Sequence, residues 1–350
     1  MTKLIQFFQR IFYNHSESRL RSFWRLLIGI ALGFFILGSL RVLARYILAF
    51  LLMLTAQIPF SAFGSTEDLS TQLTTAFEHF PLLGGVHSLI ILLLVILAFM
   101  LLARWIDRRP WWDYGLHIST AWWRDLGFGL LLGFVLMSVV FGIEYILGWE
   151  SVQGILENSQ SNLSFWQLLA DGLIYFILVG VQEELFFRGF SIKNLAEGLH
   201  LPQLSFKAAV LIPYLVISLL FGFAHISNAN ASLVSSLNLS IIGLLLGLGF
   251  ILTGELAIPI GLHIAWNFTQ GYVFGFPVSG SDAHLSLLAT KQVGPVVWTG
   301  GAFGPEGGLL GLAAALLGIL FIYGWVRWTR HGASVQDKIA RYSPIQKKKE

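Results

Sequence analysis

Two adjacent carboxylates, Glu183 and Glu184, close an apolar run in the stretch Val-Gln-Glu-Glu-Leu-Phe-Phe-Arg-Gly-Phe over 181–190, with Arg188 four residues after Glu184. Ionisable groups inside a membrane span are costly and are functional-site candidates by default. The plain alternative is that the pair marks where a helix leaves the bilayer, but further polar positions occur in later apolar runs. Of nine histidines, only His225 and His263 lie well inside such runs. His225 ends Phe-Gly-Phe-Ala-His, four residues after Phe221; His263 begins His-Ile-Ala-Trp-Asn, four residues before Asn267. Residues four apart share a helix face, so His263 projects with Asn267 and His225 with Phe221. A lone intramembrane histidine is more often a hydrogen-bonded packing residue than a ligand. Two of them, with an asparagine and an acidic pair, reverse that balance.

The chemistry open to this set is narrow. The chain has no cysteine, which removes disulfides, thiolate metal sites and cysteine nucleophiles. No Gly-x-Ser-x-Gly elbow and no His-Glu-x-x-His zinc motif occurs. Glu183, His225 and His263 could together hold a divalent ion such as zinc and leave a position open for water. The carboxylate could instead act as a general base on water, with His or Asn steadying the oxyanion. Either route leads to hydrolysis of an amide.

The surrounding composition requires a membrane. Hydrophobic residues make up 55% of the chain and charged residues 12%, against roughly 25% charged in an average soluble domain. The mean hydropathy is +0.72. The expected fold is all-α, a polytopic bundle of about eight spans, each needing roughly 20 apolar residues. They fall near 26–54, 87–103, 126–147, 165–187, 208–225, 237–252, 256–274 and 309–326. Residues 1–25 form an N-terminal cytoplasmic or interfacial segment, where Phe7, Phe8, Phe12 and Tyr13 mix with Lys3, Arg10 and Arg19. Residues 26–164 carry spans one to three, with 57–86 as a polar loop and a Trp-rich interfacial loop over 104–125. Residues 165–275 hold the polar constellation, 276–326 a Gly-rich loop and the last span, and 327–350 a basic tail ending in Lys347, Lys348 and Lys349. No cleavable signal peptide is expected.

Nineteen of the 22 Lys and Arg residues fall in 1–25, 104–125, 188–207 and 327–350. That asymmetry puts both termini in the cytoplasm. Arg41 and Arg45 interrupt the first span. Glycines four apart (Gly29 and Gly33, Gly129 and Gly133, Gly243 and Gly247) suit close helix packing inside the bundle. Nothing points to nucleic acid; the expected partners are membrane lipids and a protein or peptide substrate.

Glu-Glu-x-x-x-Arg at 183–188, Phe-x-x-x-His at 221–225 and His-x-x-x-Asn at 263–267 resemble, in order and span placement, the three motifs of the CPBP family. That family contains the type II CAAX prenyl endopeptidases and the bacterial Abi proteins. The resemblance covers about 165–275 and implies an intramembrane endopeptidase, either a metalloprotease or a glutamate-dependent one, in a bacterial plasma membrane. It assigns Glu183 as the catalytic carboxylate, with Glu184, Arg188, His225, His263 and Asn267 completing the site and Phe221 supporting it. The competing classes are an ion- or proton-coupled transporter and an idle immunity or scaffold protein of the same fold. A plain hairpin path creates a tension. It places Glu183 and His263 near the cytoplasmic ends of spans four and seven, but His225 near the far end of span five. Convergence then needs helices broken around Gly222 and Ser227-Asn228, or displaced boundaries.

Overall fold

The computed structural model describes residues 11–80, 82–158, 164–282 and 285–345, without the side chains of 32–37 and 78. The expectations for Lys3, Phe7, Phe8 and Arg10 and for the terminal lysines fall outside it. Within the expected N-terminal segment 1–25, a short ribbon pairs β1 (Tyr13–Asn14) with β2 (Arg19–Leu20). Then come α1 (Ser22–Leu54), α2 (Thr66–His79), α3 (Leu83–Leu102), α4 (Thr120–Ile146), α5 (Phe165–Glu184), α6 (Lys193–Leu199), α7 (Phe206–Ala224), α8 (Leu233–Thr253), α9 (Ala257–Phe268), α10 (Val296–Thr299) and α11 (Leu309–Thr329). The protein is an all-α helical membrane bundle.

Among the described residues six helical stretches are long and apolar enough to cross a membrane: Leu83–Asp107, Thr120–Ile146, Phe165–Leu199, Phe206–Ala224, Leu233–Thr253 and Leu309–Thr329. Of the eight spans expected, the other two correspond to α1 and to α9 with its continuation Thr269–Val273. The expected polar loop 57–86 contains α2, because Ser65 caps it by accepting a hydrogen bond from Asp68 N–H at 3.0 Å. Serines begin other helices in the same way: Ser119 accepts from Trp122 N–H, Ser205 from Ala208 N–H, and Ser232 from Ser235 N–H.

The inner helices are α8 and α9. Every residue of α9 from Ala257 to Asn267 is buried, as expected of a helix that is apolar on all faces. Backbone-to-backbone approach explains how it fits. A Cβ on Gly129 would stand 2.5 Å from the Ile258 carbonyl oxygen, and one on Gly133 2.7 Å from the Leu262 carbonyl oxygen. The glycines of α4 therefore pack inside the bundle against α9. Gly243 likewise meets Ser218, and Gly247 meets Tyr214, across the α7–α8 contact. Tyr214 donates its hydroxyl to the Leu244 carbonyl at 2.7 Å.

Two loops outside the helices pair with each other. β3 (Glu150–Asn158) runs antiparallel to β4 (Leu285–Gln292), with a bulge between Val152 and Gly154. The sequence reading left both as loops, since pairing across about 130 residues leaves no local turn signal. At the other end, Glu197 Oε2 accepts hydrogen bonds from Arg19 at 2.8 Å, Arg25 at 3.2 Å and Arg109 at 2.7 Å. This buried cluster ties the chain before α1, and the turn before α4, to α6.

Candidate functional site

The site begins with the continuity of one helix. α5 does not end at 187, as the sequence reading expected. It continues through a π-helical stretch, Leu185–Ile192, into α6, giving 35 helical residues in all. π-Helical turns occur often at functional sites. The extension removes the depth conflict. Glu183 stands about 24 Å from the Leu199 end at 1.5 Å per residue, and His225 about 28 Å from the Phe206 end of α7. Those two ends are joined by a short turn, so Glu183 and His225 lie at comparable depth. It is the boundary of span four that is displaced. His263 reaches the same zone because α9 starts deep: a Cβ on Gly189 would touch both Leu256 and Tyr114.

Glu184 and Arg188 are both fully buried, with Arg188 Nη1 2.9 Å from Glu184 Oε1. Arg188 also donates to the Gly243 carbonyl at 3.1 Å and stacks over the Phe221 ring at 4.4 Å. The same Glu184 oxygen lies 2.8 Å from His263 Nδ1, a contact the sequence reading did not anticipate. It leaves His263 Nε2 turned toward Glu183, 3.9 Å from Oε2. That distance is too long for a hydrogen bond, and Glu183 Oε2 has no hydrogen-bond partner among the described residues.

Glu183, Phe221, His225, His263 and Asn267 all line one cavity of about 480 Å³, within the range of small-ligand sites. Glu184 and Arg188 stand behind its wall. His225 Nδ1 is 2.8 Å from its own helix at the Phe221 carbonyl. The Phe221 ring touches both imidazoles, with centroids 5.0 Å from His225 and 6.2 Å from His263. The Asn267 amide makes no hydrogen bond to another described residue.

Among the described residues no group of three or more His, Asp or Glu side chains is arranged to hold a metal. The expected trio Glu183, His225 and His263 lines the cavity together, and Glu184 holds His263 at Nδ1 so that Nε2 is the ring atom facing Glu183.

Sequence reasoning missed Glu306, which is 3% exposed and lines the same cavity. Its one local signal is an acid flanked by glycines, Gly-Pro-Glu-Gly, just before the last span. Arg41 and His87 also reach the lining, from α1 and α3.

Fold and site together define an integral membrane protein with a carboxylate–imidazole cavity enclosed by its helices. Residues 165–269 match the family described as Type II CAAX prenyl endopeptidase Rce1-like. The matched stretch spans all three motifs, at 183–188, 221–225 and 263–267. The uncharacterized protein YyaK of Bacillus subtilis (strain 168) is 26% identical over 238 residues, covering 67% of this chain and 74% of that one. No solved structure matches.

Proposed function

We propose that the protein is an intramembrane endopeptidase that hydrolyses a peptide bond of a membrane-associated protein or peptide. The observation that carries this reading is the division between the two glutamates. Glu184 is held by Arg188 and His263, whereas Glu183 opens to the cavity with its side chain 23% exposed. The match of residues 165–269 to an endopeptidase family supports the same reading.

In this mechanism water reaches the exposed face of Glu183 from the cavity that His263 also lines. Glu183 takes a proton from this water as the oxygen attacks the carbonyl carbon of the substrate. His263, as the imidazolium with Nδ1–H on Glu184, and Asn267 face the same space and donate to the developing oxyanion. Glu184 positions His263 through Nδ1 and thereby sets which nitrogen faces the water. His225 lines the same cavity, on the other contact of the Phe221 ring. The protein works in a bacterial plasma membrane with both termini in the cytoplasm, and its partners are lipids and the substrate chain.

The test is N-terminal labelling of membrane proteins exposed to the wild-type protein or to Glu183→Gln in liposomes. New termini should arise with the wild type alone. Equal termini with both proteins would refute the role of Glu183. One tightly bound divalent ion per chain, with activity lost on chelation, would refute the water-only mechanism. Full biological effect of Glu183→Gln in cells would favour a non-catalytic protein.

A further inference from the structure

The reaction above leaves two carboxyl groups of the cavity without a role, the exposed Asp282 and the buried Glu306. Glu306 lies in the 3₁₀ turn Pro305–Gly307, outside the Rce1-like domain and directly before α11. Its Oε2 accepts two hydrogen bonds from Ser279, one from N–H and one from the hydroxyl, both at 2.8 Å. Ser279 is held in turn by Asn228, whose amide donates to the Ser279 carbonyl at 2.9 Å. The loop bearing Ser279 and the turn bearing Glu306 are thus latched beside the His225 end of α7. No described residue hydrogen-bonds to Glu306 Oε1, and the side chain lines the cavity shared by Glu183, His225 and His263.

Glu306 therefore keeps one oxygen anchored and one available. Burial pushes its carboxyl above the ordinary range, against the opposing pull of the Ser279 hydrogen bonds and of His225 and His263. Glu183 has no such clamp. Two carboxyl groups in one cavity with different surroundings are suited to opposite duties, one as base and one as acid.

We propose that Glu306 is a catalytic residue that delivers the proton to the departing amine nitrogen. The inference rests on the endopeptidase reading. In the first step Glu183 removes a proton from water while the water oxygen bonds to the carbonyl carbon and the carbonyl electron pair moves to oxygen. In the second step that pair re-forms the carbonyl and the carbon–nitrogen bond breaks. The nitrogen keeps the bonding pair and takes the Oε1 proton of Glu306. Glu183 is then protonated and Glu306 ionised. Transfer of one proton from Glu183 to Glu306 through cavity water restores both, and the net change is addition of one water across the amide. An amide nitrogen does not depart as an anion at neutral pH, so a donor here contributes about 10²–10⁴-fold.

The test compares two probes with one acyl group, N-dansyl-Leu-Ala p-nitroanilide and the matching thiophenyl ester, in detergent. The thiolate leaves without a proton and the aniline does not. Glu306→Gln, which can still accept the Ser279 hydrogen bonds, should lower the ratio of anilide to thioester turnover by about 10²-fold or more. Glu183→Gln should lower both turnovers together. A Glu306→Gln ratio equal to wild type would overturn the assignment and leave Glu306 as a loop latch. A second measurement needs no variant. In the wild type, turnover across a series from 4-methoxyanilide to 4-nitroanilide should vary by less than about tenfold, because the donor masks leaving-group basicity. A steep rise toward the nitroanilide would also overturn it. If the wild type cleaves neither probe, or Glu183→Gln leaves both unchanged, the endopeptidase reading fails, and this inference with it.

Discussion

His263 Nδ1 lies 2.8 Å from Glu184 Oε1, the same oxygen that Arg188 Nη1 reaches at 2.9 Å. One buried carboxylate thus fixes both a guanidinium and an imidazole. Removing one partner of such a group leaves an uncompensated buried charge, at a cost of about 3–5 kcal/mol. Glu184→Gln and Arg188→Ala should each lower thermal stability by that order. Glu183→Gln should unfold close to wild type while turnover falls at least about 10²-fold. Thermal unfolding and turnover measured on the same three preparations check this, and an active, normally folded Glu183→Gln protein would refute it.

Glu197 faces three arginines through one oxygen. Glu197→Gln should destabilise by about 3–5 kcal/mol and loosen the chain before α1, because Arg19 and Arg25 lose their shared anchor. Limited proteolysis should then cut within residues 11–21 faster than in the wild type. Unchanged cleavage would show that Asp107, 3.8 Å from Arg25, and Glu17, 2.8 Å from Arg19, hold the segment unaided.

Gly129→Ala should cost about 1–3 kcal/mol by pushing α4 off α9, since the added Cβ meets the Ile258 carbonyl at 2.5 Å. Gly127→Ala, on the same helix with nothing within 4 Å of its Cβ, should be neutral or slightly stabilising. Equal melting temperatures for the two variants would contradict the packing.

Burial raises the Glu150 carboxyl to about 6, beside the buried Glu144, with Thr290 opposing the shift. The folded state therefore holds this proton more tightly than the unfolded chain. The stabilisation is complete below pH about 4.5 and is lost as the pH rises through about 6. Melting temperature recorded from pH 4.5 to 7 should fall more steeply for the wild type than for Glu150→Gln. Parallel curves would show that the carboxyl titrates alike in both states.

The absence of native cysteine makes topology directly measurable. Cysteines placed one at a time at Ser70, Gln153 and Ser343 should label from outside, outside and inside the cell respectively. External labelling at Ser343 would invert the orientation drawn from the basic residues.

The membrane class, the helical architecture and the location of the polar constellation were all legible in the chain. They depend on hydropathy runs and four-residue spacings, which are local properties. The pairing of Glu184 with Arg188 was legible for the same reason. Tertiary structure decided the rest. Hydropathy could not show that α5 runs on through a π-helical stretch to Leu199, because the polar residues past Arg188 are buried by contacts from distant segments: Lys193 by Asp113, Asn194 by Asp107 and Glu197 by three arginines. That continuation sets the depth of Glu183 and lets it share a cavity with His225. The second bond to Glu184 comes from His263, 79 positions away, and the buried cavity acid Glu306 from beyond the matched residues. The strands β3 and β4 pair across a comparable separation. Contacts of that range carry no periodic trace in sequence, since they depend on which helix faces meet once the bundle has packed.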